Sequence, residues 1–206
     1  MFLKWLPNLI TLLRIVAAPA IAYFLWNALG TTDTELKVLF AHLAFLTFTV
    51  AALTDWVDGL LARALNAASE LGAKLDLWAD KIIVFAVLIA IFPAYPEFSI
   101  IGLICLSLRD ILVMRLRAKR PDVNLKATVL AKSKTAIVMT GMALAMLGYY
   151  LAVKAIAAAQ GDLSAATQTL VIARLGASLY VFGCVLSLGT GFEYFAAAAK
   201  NRQDGH

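Results

Sequence analysis

The sequence has few charged residues and few cysteines. Charged residues make up 15% of the 206 positions and hydrophobic residues 62%, whereas soluble proteins are roughly 45–50% apolar. This composition excludes an ordinary soluble domain and predicts a polytopic membrane protein. The two cysteines, Cys105 and Cys184, both lie in apolar stretches, so the sequence offers neither a disulfide framework nor a cysteine metal site.

The chain also lacks a linker, a low-complexity segment and a convincing internal repeat. Its first residues lack the features of a cleavable secretory signal, so we expect the first apolar stretch to be retained. We therefore predict one membrane domain over residues 1–206, with an interfacial N-terminal piece at 1–7 and a polar tail at 200–206. The net charge of +5 comes from basic residues beside apolar stretches, which is typical of membrane topology, so no nucleic acid partner is predicted.

Six apolar stretches are long enough to cross a bilayer as helices. They lie at about residues 8–29, 36–63, 71–92, 98–116, 135–153 and 170–197. The predicted fold class is therefore an all-α integral membrane protein, a bundle of six transmembrane helices with a short interfacial helix at the N-terminus.

Loop charge orients these spans. Basic residues concentrate at 63–74, at 115–134 and near both termini, whereas the opposite loops carry mainly acidic residues. Because cytoplasmic loops are enriched in lysine and arginine, we predict that both termini lie on the cytoplasmic side of a bacterial cytoplasmic membrane. The connection between the second and third spans lies on the same side.

Four aspartates interrupt the apolar pattern near that connection. Asp55 and Asp58 are three residues apart, and Asp76 and Asp80 are four residues apart, so the members of each pair share a helical face. Four converging carboxylates repel one another, and a hard divalent cation with oxygen ligands removes that cost. The pattern predicts a metal-phosphate site that holds Mg²⁺ or Mn²⁺.

Further residues stand at fixed distances from these aspartates. The run reads Asp55-x-x-Asp58-Gly59-x-x-Ala62-Arg63, then eight residues, then Gly72-x-x-x-Asp76-x-x-x-Asp80. It resembles the signature of the CDP-alcohol phosphatidyltransferases, integral membrane enzymes that transfer a phosphatidyl group from CDP-diacylglycerol to an alcohol and release CMP.

The resemblance implies a role for each signature residue. Asp55, Asp58 and Asp76 would be metal ligands, and Asp80 would be both a ligand and the catalytic base. The residues that would bind the CDP-lipid are Asp55, Gly59, Ala62, Arg63 and Gly72. The pyrophosphate charge of the CDP-lipid can be offset by two divalent ions, which we expect, or by one ion and an arginine. Homodimerisation stays open.

A second resemblance concerns the polar alcohol that accepts the phosphatidyl group. Phosphatidylglycerophosphate synthases have an Arg-Glu pair and a Gly-Lys-x-Lys-Thr run where this chain has Arg109-Asp110 and the run Ala-Lys-Ser-Lys-Thr at 131–135. The resemblance favours glycerol 3-phosphate as acceptor, with Arg109, Lys132 and Lys134 binding it.

Three departures from that pattern leave alternatives. Asp110 replaces a glutamate, Ala131 replaces a glycine, and Leu77 replaces the proline that usually follows the third signature aspartate. Cardiolipin synthase and phosphatidylinositol phosphate synthase of the same family are the alternatives within this class. An ion-coupled transporter, whose intramembrane carboxylates carry a proton or cation, is the alternative from another class.

Three residues within the spans have competing interpretations. Arg14 is either an anchor that reaches the membrane interface by snorkelling or a functional residue. Lys81 follows Asp80 and either assists a phosphate or pairs with an acid. His42 has no carboxylate or second histidine at ligand spacing, so we interpret it as a packed residue rather than a catalyst.

The predicted topology can be tested with the substitutions Arg120→Cys and Glu97→Cys, made one at a time. The two positions lie in loops of opposite charge, so impermeant thiol reagents should label them from opposite sides of the membrane, Arg120 from the cytoplasm. Labelling of both positions from one side would contradict the six-span arrangement.

Overall fold

The computed structural model describes the backbone of residues 6–64, 70–119, 129–159 and 166–203, and side chains of residues 11–54, 75, 78–115, 133–159 and 166–192. The described backbone forms six helices. They are α1 (Leu6–Gly30), α2 (Thr34–Ala64), α3 (Glu70–Ile91), α4 (Pro96–Lys119), α5 (Val129–Ala158) and α6 (Thr167–Gln203). Each of the six predicted spans falls on one helix, and only residue 92 of the third span lies outside its helix, which confirms the all-α prediction for this part of the chain.

Four of the helices contain segments long and apolar enough to cross a membrane. These segments are Thr11–Gly30, Thr34–Thr54, Ser133–Ala158 and Thr167–Phe192. These four segments indicate an integral membrane protein. Membrane crossing by α3 and α4 stays a prediction. The interfacial piece predicted at 1–7 falls almost wholly outside the described residues, and the polar tail predicted at 200–206 begins inside α6.

Short connections join α1 to α2 and α3 to α4, and each of these two pairs packs as antiparallel neighbours. The connection from α1 to α2 is fixed by Asp33, whose Oδ1 accepts hydrogen bonds from the backbone N–H groups of Glu35 and Leu36 at 2.9 and 3.0 Å. This is the N-cap arrangement that satisfies the free N–H groups of a helix start. Pro96 occupies the first turn of α4, where its missing N–H is tolerated.

The six helices form a closed ring. The main contacts run from α1 to α2, α2 to α5, α5 to α6, α6 to α4, α4 to α3 and α3 back to α1. Because the helices alternate in direction, one end of the ring gathers the end of α2 and the start of α3, where the aspartate signature lies. We call this the carboxylate end, and the other the distal end.

Small residues allow α5 and α6 to approach closely. A Cβ atom added to Gly148 would overlap Ala173, and one added to Gly176 would overlap the backbone at Ala145. Membrane helices commonly associate through such small residues, because their backbones can then pack against each other.

Two tyrosines connect other helices near the distal end. The Tyr180 hydroxyl of α6 donates to the Phe98 carbonyl of α4 at 3.1 Å, and the Tyr149 hydroxyl of α5 donates to the Ala28 carbonyl of α1 at 2.9 Å. Each hydroxyl therefore finds an acceptor inside the bundle, as buried tyrosines require.

Candidate active site

Both halves of the aspartate signature are helical, as the spacing predicted. Helix α2 continues through Asp55 and Asp58 to Ala64, and α3 includes Gly72, Asp76 and Asp80. The side chain of Asp80 is described. The other signature residues, whose predicted roles lie outside the described side chains, are Asp55, Asp58, Gly59, Ala62, Arg63, Gly72 and Asp76.

Asp80 pairs with Arg14 across two helices. The Arg14 Nη1 atom lies 2.9 Å from Asp80 Oδ1, and the Arg14 side chain is only 1% exposed whereas that of Asp80 is 22% exposed. Of the two interpretations of Arg14, the interfacial anchor is wrong, because the guanidinium points into the bundle. A buried guanidinium requires such a partner, since an unpaired charge in an apolar helix is costly.

A cavity of about 170 Å³ opens beside Asp80. Helices α3, α4, α5 and α6 form its walls, and its polar lining contains several charged and hydroxyl side chains. The polar lining residues are Asp80, Lys81, Arg109, Asp110, Lys134, Thr135 and Ser187. The cavity thus places the predicted base next to two of the three predicted acceptor residues, Arg109 and Lys134.

One carboxylate in this cavity holds two cations. Asp110 Oδ2 lies 2.9 Å from Lys81 Nζ, and Asp110 Oδ1 lies 2.8 Å from Arg109 Nη1. All three side chains are between 14% and 29% exposed. Lys81 therefore pairs with an acid, Asp110, which was one of its two interpretations. It also lines the cavity. Gly191 of α6 leaves room for Arg109, because a Cβ there would lie 3.3 Å from Arg109 Cγ.

Lys134 reaches the cavity from α5. Its side chain is 8% exposed, and its Nζ donates a hydrogen bond to Ser187 Oγ of α6 at 3.3 Å. Lys132, the third predicted acceptor residue, lies outside the described side chains.

Ser187 was not among the residues singled out from the sequence. It is fully buried, and it stands in an otherwise apolar stretch of α6, where a serine indicates a polar neighbour on another helix.

His42 lies away from the site, in the distal half, and stacks on the Tyr150 ring, with ring centroids 4.7 Å apart. This agrees with its interpretation as a packed residue.

The chemistry of the donor set fits a hard divalent cation. Among the described side chains there is no group of three or more potential metal ligands. Asp80 is joined in the sequence by three further aspartates, Asp55 and Asp58 on α2 and Asp76 on α3. Both helices contact α1. Carboxylate oxygens are the ligands that Mg²⁺ and Mn²⁺ prefer.

Comparison with known protein families decides the class. The family model for CDP-alcohol phosphatidyltransferase matches residues 4–187. The chain belongs to this family. The match includes the whole aspartate signature and the cavity beside it, so the resemblance seen in the signature alone is confirmed.

Curated relatives from several bacteria carry the same name. The chain is similar to the CDP-diacylglycerol--glycerol-3-phosphate 3-phosphatidyltransferases of Bacillus subtilis (42% identical; 48% of this chain, 54% of the relative), Wigglesworthia glossinidia brevipalpis (34%; 65% and 72%) and Rickettsia bellii (28%; 95% and 96%). The match thus spans about half the length of the first relative and nearly all of the last. No solved structure matches the chain.

The Arg14–Asp80 pair can be tested by a double-mutant cycle. Arg14→Gln should lower the free energy of unfolding by about 3–5 kcal/mol, the cost of removing one partner of a buried ion pair. Adding Asp80→Asn should restore part of that loss, because the carboxylate that faces the removed guanidinium is then neutral.

Unfolding of the purified variants in detergent, followed by circular dichroism, measures both changes. Arg115→Gln is the matched control, since Arg115 is exposed on α4 and its loss should have little effect. Strict additivity of the Arg14 and Asp80 substitutions would mean that the pair does not contribute to stability.

Proposed function

We propose that this chain transfers the phosphatidyl group of CDP-diacylglycerol to glycerol 3-phosphate, forming phosphatidylglycerophosphate and releasing CMP. Family membership supports the phosphatidyl transfer, and the names of the relatives support the acceptor. One observation in the structure carries the assignment further, namely the excess of positive charge in the cavity beside Asp80. No observation favours the ion-coupled transporter.

The charges around this cavity favour a phosphorylated acceptor. Lys81, Arg109 and Lys134 face a single counter-ion, Asp110, while Asp80 is paired separately with Arg14. Among the described residues, two positive charges therefore remain in excess. A phosphate monoester carries about two negative charges at neutral pH, so it would balance this excess.

The cavity has room for a small acceptor. Its volume of about 170 Å³ accommodates a three-carbon phosphate. Inositol phosphate has the same anionic group and a bulkier ring, so it is the competitor that charge alone does not exclude.

The proposed reaction uses groups that line this cavity. The acceptor hydroxyl oxygen forms a new bond to the phosphatidyl phosphorus, the bond from that phosphorus to CMP breaks, and Asp80 takes the hydroxyl proton. A carboxylate can act as a general base when it lies within hydrogen-bond reach of that proton. Arg109 and Lys134 hold the acceptor phosphate, so that the hydroxyl lies near Asp80.

The family generally depends on a divalent metal. In this chain Asp55, Asp58, Asp76 and Asp80 would hold it, and we propose two ions, Mg²⁺ or Mn²⁺. When bound, such ions offset the pyrophosphate charge that would otherwise repel the incoming hydroxyl. Arg63, with Gly59, Ala62 and Gly72, would border the nucleotide.

The proposed site faces the cytoplasm. The loops at the carboxylate end are the basic ones, and soluble glycerol 3-phosphate reaches the site from that side, while CDP-diacylglycerol reaches it from the bilayer. Assembly as a homodimer stays a prediction.

The acceptor can be identified with radiolabelled CDP-diacylglycerol and a panel of acceptors. The purified chain should convert glycerol 3-phosphate and leave inositol phosphate, inositol and phosphatidylglycerol unused. Lys134→Gln should raise the KM for glycerol 3-phosphate by roughly tenfold or more, since it removes one charge-assisted hydrogen bond, and should change the KM for CDP-diacylglycerol little.

Lys154→Gln is the matched control for this substitution, because Lys154 lies at the distal end of the same helix. Preferential use of another acceptor would overturn the assignment, and equal effects of Lys134→Gln on both substrates would assign Lys134 a structural role.

Two possible roles of Asp80, as general base and as metal ligand only, can be distinguished by mutation. Asp80→Asn keeps the side-chain volume and one oxygen but cannot take the hydroxyl proton, so kcat should fall by roughly 10²–10⁴, the range for general acid–base catalysis. Binding of CDP-diacylglycerol should change little. Asp58→Asn should instead weaken that binding, because it removes charge from the metal site.

Turnover and CDP-diacylglycerol affinity of both variants, measured across a Mg²⁺ titration, test this distinction. Near-normal turnover of Asp80→Asn, or its full recovery in excess Mg²⁺, would show that Asp80 is only a ligand.

A further inference from the structure

A second cavity, which the proposed reaction does not use, lies inside the distal half of the ring. Its volume is about 300 Å³, and α1, α3, α4, α5 and α6 all contribute to its walls. Its nearest wall residue on α3, Val87, is seven positions beyond Asp80, which corresponds to about 10 Å along a helix. We call it the distal cavity.

The interior of the distal cavity is apolar. Leu88, Met142 and Met146 are among its walls and are at most 7% exposed. Methionine side chains adapt to irregular apolar partners. The hydroxyls of two lining residues, Tyr149 and Tyr180, already donate to backbone carbonyls within the bundle. The interior therefore suits hydrocarbon, because a polar ligand would lose its hydrogen bonds to water there.

The rim of the distal cavity has a different character. Tyr95 is 45% exposed and Leu170 is 40% exposed, and the exposed Arg174 lies one turn of α6 beyond Leu170. Within the described part of the chain, Arg174 has no ion pair and no hydrogen bond from its side chain. A cation thus stands where the apolar interior meets the surface.

This arrangement matches one class of ligand. An apolar interior with a guanidinium at the mouth is complementary to a molecule with a hydrocarbon chain and an anionic group at one end. Arginine binds phosphate through two parallel N–H donors. In a membrane, the abundant molecule of this form is an anionic phospholipid, which can reach the mouth from the bilayer surface.

We propose that the distal cavity binds one acyl chain of an anionic phospholipid, whose phosphate lies against Arg174. This lipid is distinct from the substrate. Arg174 and Ser187 are thirteen residues apart on α6, which corresponds to roughly 20 Å along the helix. A phosphate at Arg174 is therefore far from the cavity beside Asp80. The inference does not depend on which alcohol accepts the phosphatidyl group.

Two substitutions test the two halves of the proposal. Arg174→Gln removes the headgroup contact and leaves the apolar interior intact. Ala177→Leu places a larger side chain on a half-buried wall position and fills part of the interior. The matched controls are Lys154→Gln, an exposed cation at the same end of the bundle, and Ser178→Leu, an added leucine at an exposed position next to Ala177.

Equilibrium binding of radiolabelled phosphatidylglycerol and phosphatidylcholine with identical acyl chains is measured on delipidated protein in a neutral detergent. Each measurement is made with and without saturating CMP, the released product, which occupies the nucleotide part of the substrate site and has no acyl chain to compete for the distal cavity. Wild type should prefer phosphatidylglycerol by roughly tenfold, because both lipids carry the phosphate but the choline cation of phosphatidylcholine is repelled by Arg174. Arg174→Gln should abolish this preference and keep the weaker binding of phosphatidylcholine, while Ala177→Leu should weaken binding of both lipids.

The control variants should behave as wild type, and the thermal midpoint and phosphatidyl transfer of each variant confirm that it is folded. Three results would overturn the proposal. They are equal binding of the two lipids by wild type, an unchanged preference in Arg174→Gln, and unchanged lipid binding in Ala177→Leu. Loss of phosphatidylglycerol on addition of CMP would place the bound lipid in the substrate site and would also overturn the proposal.

Discussion

The ion pair between Arg14 and Asp80 is the interaction on which the carboxylate end depends. Arg14 lies within the apolar helix α1, where an unpaired guanidinium would be costly. Its side chain is almost fully buried and contacts Asp80 of α3. The pair therefore holds α1 against α3 at the level of the signature. It also limits the orientations of Asp80, the residue that we propose takes a proton from the acceptor.

The closed ring of helices has a direct consequence for the distribution of polarity. Six helices that contact mainly their two neighbours have two cavities between them, one at each end. At the carboxylate end the cavity is lined by charged side chains from α3, α4, α5 and α6, whereas the distal cavity is lined by leucine, methionine and tyrosine. A charged reaction site and a hydrocarbon-compatible site can thus occupy one bundle.

The sequence predicted the helices well, because each is a long apolar run bounded by polar residues or proline. It predicted the neighbourhood of Arg109, Lys134 and Asp80 through the family resemblance. It could not predict three features: which of the two interpretations of Arg14 is right, the contact between Lys81 and Asp110, and the position of Ser187 beside Lys134. These depend on which helices are neighbours, and the helices are apolar on most of their circumference, so the pattern does not mark an inner face.

Asp110 shows how a departure from the family pattern can keep its chemistry. The resemblance to phosphatidylglycerophosphate synthases implies a glutamate at this position, and the shorter aspartate here contacts both Lys81 and Arg109 at less than 3 Å. Charge balance depends on the presence of one carboxylate among three cations rather than on the length of its side chain. The substitution therefore preserves the two excess positive charges that favour a phosphate monoester, and it gives no reason to assign a different acceptor.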